Sequence, residues 1–231
     1  MFYLPVIFLF LIFYFVVLGG LFFLLKIGLI SLAFHRLGLS PDAVFLLLLF
    51  SLLGSGINIP IKKVHSESLL EEQIVDFFGW KFQVPTARQA KATILAVNFG
   101  GAIIPAAVSL YLIFRWWSLS FYFLAAIILV TFFVNRVARP VKGLGIATPA
   151  LFPPIVAALV SLALGLFIPS GMAAVPALAY VSGTLGTLIG ADLMNLNKIS
   201  GLGAPVASIG GAGTFDGVFL TGILAVILTS L

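Results

Sequence analysis

Long apolar runs recur along almost the whole chain, and only short polar stretches separate them. The first run, MFYLPVIFLFLIFYFVVLGGLFFLL, already exceeds the roughly 20 residues that an α-helix needs to cross a bilayer. Charged residues make up 8% of the sequence, whereas a soluble domain carries about a quarter. Because a water-soluble core of this size cannot hide so much apolar surface, the pattern predicts a helical integral membrane protein whose partner is the lipid bilayer.

The predicted fold class is all-α, a polytopic membrane domain that comprises the whole chain, 1–231, with about seven transmembrane helices. The first run is interpreted as a retained span, since it lacks a basic leader and a small-residue cleavage site. Ser40, Pro41 and Asp42 predict a helix start as cap, first helical residue and first-turn acid. The expected spans are about 2–25, 41–57, 93–114, 119–134, 148–168, 172–193 and 211–231.

A polar segment at about 59–92 interrupts the spans and holds four of the seven acidic residues. Its stretch IVDFFGWKFQVP partly alternates in polarity, which indicates a strand or hairpin, or an aromatic segment in the headgroup layer. We prefer the interfacial interpretation.

The distribution of basic residues predicts the orientation. Nine of the 12 Lys and Arg residues fall on the side of the N-terminus, which places that terminus in the cytoplasm and the C-terminus outside the inner membrane. The net charge of +5 lies largely in these loops, so it does not indicate nucleic-acid binding. Because cysteine is absent, disulfides and thiolate metal sites are excluded, and the GGAG stretch lacks the lysine of a phosphate-binding loop. No metal or cofactor is predicted.

Two carboxylates stand at the ends of the last two predicted spans. Asp192 lies about one turn from the end of the sixth span and Asp216 about one turn into the seventh, so both are expected at similar depth. Asp216 could equally be a first-turn acid that favours the helix N-terminus. Asp192 meets the unfavourable end of the helix dipole, which a capping role cannot explain, although it could also be exposed at the surface or paired with Lys198.

Other polar and small residues collect on the same side as this pair. We expect them to support a substrate or ion site: Asn58, Asn98, Asn195, Thr214, Gly211, Gly213 and Pro149. The bridge KISGLGAPVASIGGAG is apolar and glycine-rich, which favours re-entrant-like backbone over a water-exposed loop. Ser182, Gly186 and Gly190 recur every four residues, a spacing that predicts close helix packing.

Four stretches, SLLGSGINIP, VNFGGAIIP, GTLGTLIGADL and SIGGAGTFDGVFLTGILAV, resemble an uncharacterised family of prokaryotic multi-pass membrane proteins, a domain of unknown function. The resemblance covers most of the chain from about residue 37 onward. It implies a multi-pass fold and no activity.

A weaker resemblance is to intramembrane aspartyl proteases of the presenilin, signal-peptide-peptidase and prepilin-peptidase type. It implies a catalytic dyad of Asp192 and Asp216, with Gly211 and Gly213 as the Gly-x-Gly element. Thr214 and Phe215 intervene where those proteases have Asp directly. The Pro149-Ala150-Leu151 element precedes the two spans, whereas in the proteases it follows them.

Three functions remain open at this point. The aspartates could share a proton and cleave membrane peptides. They could bind a proton or small cation in a transporter, with Asn58 and Asn98 as further oxygen ligands. They could also hold two spans together in a structural or assembly protein.

Overall fold

The computed structural model describes residues 13–20, 37–65, 74–77, 80–83, 92–141, 145–169, 171–201, 204–211 and 217–230. The described chain is mostly helical, and residues 13–20 are helical as well. The remaining α-helices are α1 (Pro41–Gly54), α2 (Ile104–Arg115), α3 (Ser120–Val137), α4 (Phe152–Gly165), α5 (Val175–Thr187) and α6 (Gly217–Ser230).

Short strands lie between the helices. They are β1 (Asn58–His65), β2 (Ile74–Phe77), β3 (Trp80–Gln83), β4 (Ala92–Asn98), β5 (Arg139–Val141), β6 (Gly145–Ala147) and β7 (Val206–Ile209). Strand β4 is the centre of a three-stranded sheet, antiparallel to β1 and parallel to β7. Strands β2 and β3 form one hairpin, and β5 and β6 form another.

The expectation of a mostly helical protein is therefore confirmed, but the described chain is not all-α, because it also contains strands β1–β7. The expected third span, 93–114, begins as strand β4, continues through a π-helical turn at Phe99–Ile103 and becomes helical only in α2. The polar segment, for which we preferred an interfacial interpretation, contains β1 and the β2–β3 hairpin. A short apolar run such as ATILAV suits a buried strand as well as a helix, and the two neighbouring strands decide between them.

Among the residues that the structure describes, two helical stretches are long and apolar enough to cross a membrane, Trp117–Val137 and Met172–Ile199. The first presents large apolar side chains to its surroundings, among them Phe121, Leu124 and Ile128. The second is mostly buried: α5 continues through a π-helical turn at Leu188–Asp192 into a 3-10 segment at Leu193–Gly201. The number of seven spans remains a prediction.

Helix α5 packs against α2, α3, α4 and α6. A Cβ at Gly186 or Gly190 would overlap α3, at Val130 and at Thr131, so the predicted close packing along this stripe is confirmed. At Gly183 a Cβ would lie 3.2 Å from Thr221 of α6 and 3.3 Å from Ala157 of α4. The predicted start of α1 is also confirmed, because the Ser40 hydroxyl accepts a hydrogen bond from the N–H of Ala43 (3.3 Å).

Candidate functional site

Two strand–glycine–helix units lie side by side at one end of the helices. Strand β4 runs into Gly100-Gly101-Ala102 and then α2, and β7 runs into Gly210-Gly211, five undescribed residues before α6. Each glycine pair follows the carboxyl end of its strand, and because β4 and β7 are parallel, both pairs lie at the same edge of the sheet. In open α/β sheets, this is the edge at which ligands bind.

Asn98 ties the first glycine turn to its surroundings and is fully buried. Its Oδ1 accepts the N–H of Gly101 (2.6 Å), and its Nδ2 donates to the carbonyl of Ser55 (2.5 Å) and to Oδ1 of Asn58 (3.0 Å). The hydroxyl of Ser208, near the end of β7, also donates to Oδ1 of Asn58 (2.7 Å). Asn58 therefore joins both units, and the two lone pairs of its amide oxygen are occupied.

The glycines permit close approach of backbone to backbone at this junction. A Cβ at Gly100 would overlap the last turn of α1 at Ser51 and Ser55, where the Ser51 hydroxyl donates to the carbonyl of Gly100. A Cβ at Gly101 would overlap the carbonyl of Gly210, which itself has a φ of +77°. A residue with a side chain is strained at this positive φ, so glycine is required at position 210.

Asp192 lies against the second glycine turn. It is half-buried at the end of the π-helical turn, and its Oδ2 accepts the N–H of Gly210 (2.7 Å). A hydrogen bond from an N–H to a carboxylate is among the stronger kinds in proteins. This bond joins the end of α5 to the end of β7.

Asn195 caps the broken end of α5. Its Nδ2 donates to the carbonyls of Gly190 (3.1 Å) and Ala191 (2.8 Å), and its Oδ1 accepts a hydrogen bond from the Lys198 ammonium (2.6 Å). Asn135 of α3 donates to the same Gly190 carbonyl (3.0 Å). The carbonyls released where the helix departs from α geometry are thus satisfied by side chains.

The structure brings most of the described residues of the predicted site together and leaves one apart. The junction of the two glycine turns contains Asn58, Asn98, Asp192 and Gly211, and Asn195 lies just beyond Asp192. Gly211 has a φ of +96°. Pro149 is exposed just before α4, with no hydrogen bond linking it to the junction.

Three predicted residues, Asp216, Thr214 and Gly213, lie outside the described residues. The pairing of Asp192 with Asp216 remains a prediction. Among the residues that the structure describes, no three His, Cys, Asp or Glu side chains are grouped so as to hold a metal ion.

Sequence reasoning missed Ser208 and the equivalence of the two glycine turns. The available signal was the repeated Gly-Gly-Ala, which follows an apolar run of strand length in both places and carries Asn98 or Ser208 two residues before it. The two copies are 110 positions apart and differ in their other residues, so the repeat is weak as a pattern.

Comparisons with curated proteins and with solved structures give no match for this chain. The profile of one family, described as "Protein of unknown function (DUF1614)", matches residues 52–228. That range includes β1, both glycine turns and Asp192. Because the match covers most of the sequence and agrees with the first of the two resemblances, the chain belongs to this family of unknown function.

Proposed function

We propose that this protein is an integral membrane protein whose chemistry centres on Asp192 and Asp216, and that it cleaves membrane peptides in the manner of an aspartyl protease. The observation that carries the proposal is the hydrogen bond from the Gly210 N–H to the Asp192 carboxylate (2.7 Å). It fastens one acid to the glycine segment that leads, six residues later, to the other.

The packing of α5 on α6 supports similar depths for the two acids. The helices are in contact at Gly183 and Thr221. Asp192 lies nine residues after Gly183, or about 13 Å further along α5 and its continuation. The first residue of α6 lies four residues before Thr221, or about 6 Å. Ala179 and Ala225 share one buried cluster and Leu188 and Val218 share another, the pattern of an antiparallel pair, so both segments extend toward the same side of the membrane.

Helix α3 supports a membrane boundary near Asp192. Trp117 stacks on Phe114 at one end (6.0 Å between ring centroids), and Arg136 lies over the ring of Phe132 at the other (4.9 Å). The 19 residues between Trp117 and Arg136 span about 29 Å, close to the thickness of a bilayer core. Asn135 binds Gly190, so Asp192 belongs at the Arg136 boundary.

Basic residues favour the cytoplasm for this boundary. In the described part of the chain, the basic residues near this boundary are Arg136, Arg139, Lys198 and, on β1, Lys62 and Lys63. The opposite boundary has Arg115, the last residue of α2. The proposed orientation is therefore that of an inner-membrane protein with a cytoplasmic N-terminus and an external C-terminus.

The proposed chemistry needs the two acids in different protonation states. Two carboxylates in a medium of low dielectric constant share one proton, since both cannot ionise at close range. The ionised group would activate a water molecule, and the protonated group would donate to the carbonyl of the scissile peptide. One oxygen of Asp192 is already bound to Gly210, which holds this group in position.

A cation- or proton-coupled transporter is the second candidate. The breaks at Phe99–Ile103 and Leu188–Asp192 favour it, because discontinuous helices commonly line ion sites. The asparagines fit this role less well, since their amide oxygens already accept hydrogen bonds from the protein. A structural role for Asp192, through its bond to Gly210, is the third.

Two substitutions at Asp192 separate these functions. Asp192→Asn keeps an oxygen that can accept the Gly210 N–H but cannot ionise, whereas Asp192→Ala loses both properties. Purified protein in lipid nanodiscs would be assayed for cleavage of single-span peptides and for thermal stability with and without Na⁺. The matched control is Asp42→Asn, which makes the same change in the exposed first turn of α1.

For a protease we expect Asp192→Asn and Asp216→Asn to abolish cleavage with little loss of stability, and Asp42→Asn to retain it. Cleavage that persists in both site variants would refute the proposal. Stabilisation by Na⁺ that disappears in Asp192→Asn would favour the transporter. If Asp192→Ala alone lowers stability and no variant changes any activity, Asp192 is structural.

A further inference from the structure

The π-helical turn that follows α5 changes the face of the helix on which Asp192 lies. The turn covers Leu188–Asp192, and the N–H of Leu193 donates to the carbonyls of both Ile189 and Leu188. Because the bond to Leu188 spans five residues, one more than in an α-helix, the turn contains one extra residue. Turns of this kind occur frequently at functional sites.

The contacts of α5 identify the face that meets α6. Gly183 faces Thr221 of α6, and a Cβ at Gly222 of α6 would overlap the hydroxyl of Thr184. Thr187 lies four residues after Gly183 and three after Thr184, so it belongs to the same face.

The extra residue rotates Asp192 onto this face. In a regular α-helix five residues turn through about 500°, which would leave Asp192 about 140° away from Thr187. With the five-residue spacing of the π-helical turn, Asp192 lies one turn beyond Thr187 on the side of α6. Its hydrogen bond to the N–H of Gly210, in the segment that leads to α6, agrees with this direction.

The carbonyl of Gly190 differs between the two helix geometries. It would accept the N–H of Met194 if the α-helix continued. In the structure it accepts Nδ2 of Asn135 (3.0 Å) and Nδ2 of Asn195 (3.1 Å). Asn195 belongs to the segment that would move with the turn, whereas Asn135 belongs to α3.

Helix α3 is fixed in place beside this turn. A Cβ at Gly190 would lie 2.6 Å from the carbonyl oxygen of Thr131 and 3.2 Å from the backbone nitrogen of Asn135. Val130 and Val134 of α3 are fully buried. The amide of Asn135 therefore binds the Gly190 carbonyl from a helix whose position does not depend on the turn.

We propose that Asn135 is a positioning residue for Asp192. By binding the Gly190 carbonyl it holds the π-helical turn, and the π-helical turn directs the carboxylate to the N–H of Gly210. Without the Asn135 amide, the carbonyl regains an N–H from its own helix and Asp192 turns away from α6. The inference rests on the proposed function only for the role of Asp192 as a reacting acid.

The test follows the amide of Gly210 by nuclear magnetic resonance of the protein in nanodiscs. Labelling isoleucine with ¹³C at the carbonyl and glycine with ¹⁵N selects the Ile–Gly pairs, which in this sequence end at Gly28, Gly190 and Gly210. The Gly210 signal is identified by its change in Asp192→Ala, which removes the acceptor of its N–H.

Two substitutions at the contact between α3 and α5 are compared. Asn135→Leu removes the amide with little change of volume. Thr131→Val is the matched control, because the buried Thr131 hydroxyl has no hydrogen-bond partner in the described part of the chain. If the leucine variant does not fold, Asn135→Ala replaces it.

In Asn135→Leu we expect the Gly210 signal to move to its position in Asp192→Ala, whereas Thr131→Val should keep the wild-type signal. The kcat for peptide cleavage should fall at least about tenfold at an unchanged KM, because a displaced reacting group slows the chemical step. A Gly210 signal that stays at the wild-type position in Asn135→Leu would overturn the proposal.

Deleting Ala191 separates positioning from general support of the fold. The deletion removes the extra residue, so the acid lies four residues after Thr187, on the same face of a regular helix. Asn135→Leu should then no longer move the Gly210 signal. A shift of the same size with and without the deletion would make Asn135 a structural residue and overturn the proposal. If the deletion variant does not fold, the Gly210 signal of the single variant decides.

The two proposals fail separately. If the wild-type protein cleaves single-span peptides but Asn135→Leu changes neither the Gly210 signal nor kcat, the positioning role is wrong and the protease survives. If the Gly210 signal moves as expected but no peptide is cleaved, the positioning role stands and the proposed catalytic function falls.

Discussion

Replacing Asn98 by alanine should be among the most destabilising single substitutions in this chain. The side chain is fully buried and makes three hydrogen bonds, to Gly101, Ser55 and Asn58. Alanine would leave the Gly101 N–H and the Ser55 carbonyl without these partners at the point where α1, β4 and the first glycine turn meet. We therefore expect a loss of stability and not only of local order.

The magnitude follows from the two groups left behind. A buried polar group without a partner costs about 1–3 kcal/mol, so the pair costs about 2–6 kcal/mol. Hydrogen bonds in membrane proteins are weaker, about 0.6 kcal/mol each on average, and three of them still give about 2 kcal/mol. The expected decrease in the free energy of unfolding is accordingly at least about 2 kcal/mol.

The measurement is reversible unfolding in mixed micelles, followed by the fluorescence of the three tryptophans. Asn98→Ser keeps an acceptor that can cap Gly101 and should lose less than the alanine variant. Asn197→Ala, at an exposed position of the 3-10 segment, makes the same chemical change and should be close to wild type. A decrease below about 0.5 kcal/mol for Asn98→Ala would refute the account of this junction, since surface substitutions alone reach that value.

Two further substitutions test the fold. Gly101→Ala should lower the free energy of unfolding by about 1–3 kcal/mol or more, because the new Cβ overlaps the Gly210 carbonyl. Gly20→Ala is the control and should be neutral, since there is open space around its Cβ. Equal unfolding curves for the two variants would contradict the backbone contact. Ile128→Lys should cost about 3–4 kcal/mol of membrane insertion if the exposed face of α3 meets lipid. The measurement is the amount of membrane-integrated protein compared with Ile128→Leu, and undiminished insertion would contradict the contact between α3 and lipid.

Local sequence was enough wherever the cause of a structure lies within a few residues. Ser40 and Pro41 set the start of α1, because a cap and a fixed φ act on the adjacent turn. The four-residue spacing of Gly186 and Gly190 set the contact with α3, since small residues at that spacing share one helix face. The apolar runs at Trp117–Val137 and Met172–Ile199 likewise form helices, and within the described residues these two are long enough to cross a membrane.

The sheet could not be predicted in this way. Ala92–Asn98 pairs with β1 across a few tens of residues and with β7 across more than a hundred, as Ile94 does with Val206. Whether an apolar run of seven residues becomes strand or helix depends on the presence of such partners, and no local pattern contains them.

The candidate site divides along the same line. The sequence by itself determined which residues were unusual: a carboxylate at the wrong end of a helix, asparagines in apolar surroundings and a glycine-rich bridge without charge. Only the tertiary structure decided that Asn58 receives hydrogen bonds from both strand–glycine–helix units, and that the Asp192 carboxylate accepts the N–H of Gly210 after β7. The physical reason is that polarity and backbone freedom are properties of single residues, whereas a hydrogen bond requires two groups that chain folding alone brings together.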